Sequence, residues 1–300
     1  MRILVLNPNT STAMTAEIAA AAEVSQATFF RYFSTKADVV WVESNAELTR
    51  FAALLDASDP AVRPSDVVGP AYISSLSYGV GETEWVRQRA QLILSVPAVA
   101  AHAVSRATGQ DIARCRMAVA VAGSPTRGIE FLKSAERQDA RRQMVRAIDS
   151  LIAADEADVL SRAKSLIVAV KAPLAEVKST QEKVLEQNAD YLSRGALKQL
   201  EDRNKRELNA RERSGIMEAL ASARTLMRDV LLTLQDEAAD VVNEDVRDTI
   251  GRLAAATNVA GATRALEAVA TAERNIARNV TPQLAIEVML FDIRKALKCR

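Results

Sequence analysis

From Glu176 to Gln235 the chain consists mainly of strong helix formers, with a thin apolar stripe and charged residues on every face. A stretch of this kind does not fit a sandwich or a barrel, and it predicts long, partly exposed helix. The rest of the chain agrees. Of its 300 residues 49% are apolar but only 4% aromatic, and the dominance of Ala, Arg, Leu and Glu is the composition of packed helices. The fold class is therefore read as all-α, in a chain long enough to bury a substantial core and to hold two domains.

Residues 2 to 6 form a short β-rich run that ends at Asn7-Pro8-Asn9, which reads as a strand-like leader. From Thr15 the pattern becomes helical, with breaks around residues 23 to 25 and at Ser34-Thr35, then a longer helix from Lys36 to about Leu55. Prolines and glycines mark connections over 56 to 72 and near Gly79 and Gly81, and Pro97 divides residues 82 to 106 into two helices. Gly123-Ser124-Pro125 marks a turn, helices are expected over 126–134 and 136–153, and Pro173 interrupts the helical run after Lys171. Toward the end the periodicity sharpens. Leu266, Val269, Ile276 and Val280 share one face, Thr281-Pro282 supplies an N-cap and first-turn proline, and Ile286, Leu290, Ile293 and Leu297 form another stripe.

Bulk charge is uninformative, because the net charge is +1 and any nucleic-acid affinity must come from local basic faces. Cys115 and Cys299 form no zinc or disulfide spacing, which suits a reducing, cytoplasmic location. No segment approaches the roughly 20 apolar residues of a membrane span. His102 has no acid or nucleophile near it in the sequence, so no catalytic triad is argued. Adjacent carboxylates such as Asp155-Glu156 point to different helix faces. Basic residues around Arg203 to Arg213 alternate with acids at salt-bridge spacing and read as a solvated helix, as do Arg137, Arg141 and Arg142. Neither enzyme activity, metal nor cofactor is expected.

The densest signal is "IAAAAEVSQATFFRYFSTKADVV", ending at Val40. Ser25 stands as an N-cap, so Gln26, Ala27 and Thr28 occupy the first turn of a short helix whose tip would enter a groove or meet a phosphate. Phe29 and Phe33 lie four apart and would anchor that helix against Ile18 and Val24, leaving Arg31, Tyr32 and Lys36 for the backbone. This stretch closely resembles the helix-turn-helix of TetR-family transcriptional repressors. By that resemblance Gln26, Ala27 and Thr28 would read bases, while Arg31, Tyr32 and Lys36 would grip phosphates. Glu23 stands where the family usually has Gly, and the strand-like leader occupies the place of its first helix. "RAQLILSVPAVAAH" resembles the ligand-binding half of the same family, which leaves a small-molecule inducer of unstated identity as a partner.

Two further resemblances occur. "MRILVLNPNTSTAMT" is similar to the start of aspartate/glutamate and hydantoin racemases, in which Asn7, Asn9 and Thr10 would hold a carboxylate; neither cysteine lies in that family's cysteine motifs. Residues from about 105 to 298 resemble the lid and collar of the clamp-loader delta-prime subunit, which implies helix-to-helix partners, although the chain has no phosphate-cradling P-loop. Three partial resemblances in one chain read as a composite. The expected organisation is a leader over 1–14, a helix-turn-helix module over 15–55, a helical connection over 56–105, and a helical interaction domain over 106–300. The function read from this is a sequence-specific regulator that binds double-stranded DNA, with a homodimeric or helical protein partner. The alternatives are a clamp-loader-type assembly subunit in DNA replication, or an inactive racemase remnant.

Overall fold

In the computed structural model the described residues are 42–58, 62, 67, 82–189, 191–236 and 240–298, and among them there is no strand. The chain divides into two compact units, Met1–Arg106 and Ala107–Arg300. The first contributes α1 (Val42–Asp56) and α2 (Glu82–Ser95), and α3 (Pro97–Thr108) begins in it. Pro97 sits in the first turn of α3, where it needs no hydrogen-bond acceptor for its nitrogen. Val96 only bridges the two helices, its N–H reaching back to the carbonyl of Leu92 at 2.9 Å. The predicted strand at residues 2–6 and the helices up to residue 41 lie outside the described residues.

The second unit holds α4 (Ile112–Ala122), α5 (Pro125–Lys133), α6 (Ala135–Ser150), α7 (Glu156–Lys171), α8 (Leu174–Asn188) and α9 (Arg194–Gln235). After a short 3₁₀ turn, Glu244–Val246, come α10 (Arg247–Ala256), α11 (Val259–Ala277) and α12 (Pro282–Leu297). Local chemistry fixes most boundaries. Asp111 accepts the N–H of Arg114 at the start of α4, and Gly123 ends that helix at φ 79°, a conformation that costs glycine little. Ser124 and Ser134 cap α5 and α6, and Asp155 and Asp158 form a reciprocal capping box at the start of α7. Thr281 occupies the expected N-cap position of α12, but its hydroxyl makes no cap bond; Pro282 alone sets the first turn. The run expected from Glu176 to Gln235 is two helices, since a short bend after Asn188 reverses the chain so that α8 packs along α9.

At 42 residues, α9 is about 63 Å long at the standard helical rise, and it organises the unit. Over its first half only Asn204 is buried, and α8 has no buried residue. From Ile216 onward α9 enters the core, where Leu220, Leu226, Met227 and Val230 meet Met144 and Ile148 of α6, Val269 and Ile276 of α11, and Ile286, Leu290 and Ile293 of α12. Each such aliphatic side chain contributes roughly 1.5–3 kcal/mol when withdrawn from water. α11 and α12 approach closely through small residues, Gly261, Ala262 and Ala265. A smaller apolar cluster joins α4 to α5 through Met117, Val121 and Phe131.

Candidate functional site

Ser25, Gln26, Ala27, Thr28, Arg31, Tyr32 and Lys36, the residues expected to meet DNA, lie outside the described residues, as do Asn7, Asn9 and Thr10. Of the expected helix-turn-helix module, α1 is the described part. Among the described residues no cluster of three or more His, Cys, Asp or Glu is placed to hold a metal ion, and no helix is long and apolar enough to cross a membrane.

The polar chemistry of the second unit converges on α9. Glu218 is 6% exposed, in the dry half of that helix, and two arginines from other helices hold it. Arg127 of α5 donates to its Oε1 at 2.8 Å and to the hydroxyl of Ser214, one turn earlier on α9, at 2.6 Å. Arg137 of α6 donates from Nε to Oε2 at 2.9 Å and from Nη2 to Oε1. Burial opposes the charge on Arg137, but the hydrogen bonds and attraction of Glu218 outweigh it and raise the guanidinium pKa above its usual value. Arg127 and Arg137 are 43% and 21% exposed at the side chain, so the charges meet at the rim of a cleft rather than inside a dry core.

That cleft holds about 260 Å³. One wall is apolar, formed by Pro173, Leu174 and Val177 at the start of α8, and the other is basic, formed by Arg127, Arg137 and Arg211 with Ser214 and Glu218. Arg211 also donates to Glu207, one turn before it, at 2.9 Å. This hydrogen bond holds the Glu207 carboxyl below the ordinary carboxylate range.

Behind the cleft a second network ties α6 to α9 and to the segment after it. Asp229, fully buried, accepts the N–H of Val242 at 3.0 Å, the N–H of Asn243 at 2.8 Å and the side-chain amide of Asn243 at 2.7 Å. Arg141, 4% exposed, donates to Asn243 Oδ1 at 2.8 Å and to both oxygens of Asp245 at 2.6 and 2.8 Å. Arg141 also lines a second cleft of about 540 Å³ with Arg114, Met117, Glu244 and Asp245. The expectation of solvated arginines on α6 holds for Arg142, half-exposed beside Asp139, and fails for Arg137 and Arg141. Their partners lie 81 to 104 residues away, a pairing no local spacing rule reaches. A usable signal did exist: Glu218 and Asp229 are the two acids in the largely apolar stretch 215–235, and a buried acid requires a partner. Cys115, fully buried in α4, has its thiol pKa raised by burial and is no candidate nucleophile.

Against this geometry, comparison with known proteins identifies two family models that match in the N-terminal part. Residues 11–40 match the family model of bacterial regulatory proteins of the tetR family, and residues 62–124 match that of the MftR C-terminal domain. A protein of Mycobacterium tuberculosis, named as a mycofactocin biosynthesis transcriptional regulator, MftR, is 28% identical over 93 residues. The matched segment covers 31% of this chain and 47% of that relative, so the chain spans about half the relative's length. No solved structure matches. The TetR resemblance is thus supported, along with the all-α fold that accompanies it, while the comparisons support neither the clamp-loader nor the racemase resemblance.

Proposed function

We propose that the chain is a non-enzymatic, DNA-binding transcriptional regulator of the TetR type. The observation that carries this reading is order along the chain: the tetR model falls on residues 11–40, over the helix-turn-helix motif, and the MftR C-terminal model follows at 62–124. In this reading Ser25 caps the recognition helix, Gln26, Ala27 and Thr28 read base edges, and Arg31, Tyr32 and Lys36 hold phosphates. The chain acts in the cytoplasm as a homodimer on half-sites about one helical turn apart, and the helical unit over 107–300 serves self-association or a helical partner. Mycofactocin-related genes, named by the relative, are a natural first place to look for an operator.

A gel-shift titration over salt concentration, on duplexes selected from a random pool, tests the proposal. Binding should weaken steeply with salt, and replacing Lys36 by Ala should lower the log–log slope by about 1, while Tyr32→Ala weakens binding at all salts. Equal binding and equal slope in wild type and both variants would reject it.

A further inference from the structure

α8 is tethered at both ends and weakly seated between them. Its half-buried residues Leu174, Val177, Gln181, Leu185 and Asn188 recur at three- and four-residue spacing and so form one seam. On α9, along which α8 packs, Leu197, Leu200, Asn204 and Leu208 repeat that spacing. No residue of α8 is buried, and none belongs to the main apolar core. Neither end has a side-chain cap: Pro173 at the start makes no cap hydrogen bond, and Ala189 at the end stays right-handed. The middle of the seam is polar. Gln181 donates to Glu207 at 3.1 Å, the one side-chain hydrogen bond from α8 to α9 among the described residues. Gln181 Oε1, an acceptor, and Asn204 Nδ2, a donor, are both buried and have no partner among the described residues. Polar atoms left in that state weaken the packing that buries them, and undocking returns them to water.

We propose that α8 is a releasable strap, and that the polar layer of Gln181 and Asn204 sets how readily it lets go. The rest of the unit holds without it. The core is built by other helices, Arg211 still donates to Glu207 along α9, and Lys171 at the end of α7 meets Glu212 of α9 at 3.1 Å, anchoring the chain just ahead of the strap. A helix of 15 residues deprived of packing is marginal in water, so release and melting of α8 are one event. Release bares Leu200 and Leu208 of α9 and withdraws Leu174 and Val177 from the wall of the neighbouring cleft. An apolar layer at the same place would close the seam more firmly. The strap lies outside both segments matched by family models, and failure of the regulator reading would leave it standing.

Hydrogen exchange of the full chain, followed by mass spectrometry, tests this proposal. Amides of residues 174–188 should exchange together, at least about 100-fold faster than those of residues 219–230. The double variant Gln181→Leu, Asn204→Leu, in which Glu207 keeps its bond from Arg211, should slow exchange in α8 about tenfold and leave residues 219–230 unchanged. Leu185→Ala, which adds no bulk to the seam, should speed exchange in α8 about tenfold, again with residues 219–230 unchanged. Exchange of α8 at the rate of residues 219–230, unchanged or faster α8 exchange in the double variant, or equal acceleration of both regions by Leu185→Ala would overturn it.

Discussion

Glu218 shows how one acid sets the cost of a substitution. With the carboxylate removed, Arg127 and Arg137 face each other and Ser214 with no counter-charge between them, so Glu218→Ala should destabilise the chain by roughly 2–4 kcal/mol. Arg127→Ala should cost less than about 1 kcal/mol, because Arg127 is 43% exposed and Arg137 still satisfies Glu218. Urea unfolding would check both, and equal midpoints for the two variants would contradict the view that Glu218 is the indispensable member. At this scale the sequence was least transparent. The pairs Arg137–Glu218 and Arg141–Asp245, each with one buried member, join residues far apart in the chain, and charge spacing along a single helix reports only neighbours three or four positions away.

Elements were far more legible, because caps and periodicity are local. Pro97, Gly123-Ser124-Pro125 and Pro173 all mark real helix ends, and the stripe Ile286, Leu290, Ile293, Leu297 is buried as expected. Two features escaped. The reversal after Asn188 lacks proline and glycine, and Thr281 has the right residue type for a cap without making the bond. Close approach of α11 to α12 yields a prediction of opposite signs at two helical glycines. A methyl group on Gly261 would lie 2.6 Å from the carbonyl oxygen of Ala296, on the backbone of α12, and would also strike Thr257. Gly261→Ala should therefore destabilise by about 1–3 kcal/mol despite the better helix propensity of alanine. Gly251 in α10 has open space around its Cβ position, and Gly251→Ala should stabilise by about 0.5–1 kcal/mol. Thermal melts of the two single variants, moving in opposite directions, would confirm the distinction; movement in the same direction would refute it.

At the scale of the molecule, the second unit is uneven in burial. α8 has no buried residue, whereas α9 beyond Ile216, α11 and α12 supply most of the core. Native-state hydrogen exchange should follow this gradient, with amides of α8 exchanging fastest and those of residues 219–230 and 286–297 slowest. Uniform protection across these helices would show that the unit opens only as a whole. The all-α architecture was readable from composition, and the regulator reading from one compact motif, because both are statements about residue types. What the unit over 107–300 does is written instead in side chains brought together by folding. The single helix α9 also has a practical consequence. Its wet half and the turn at Tyr191, which is 86% exposed, stand clear of everything that keeps the interior dry. Foreign sequence, such as a fluorophore tag, spliced into that turn would be carried like a flag on a mast, reporting on the whole without loosening its foundations.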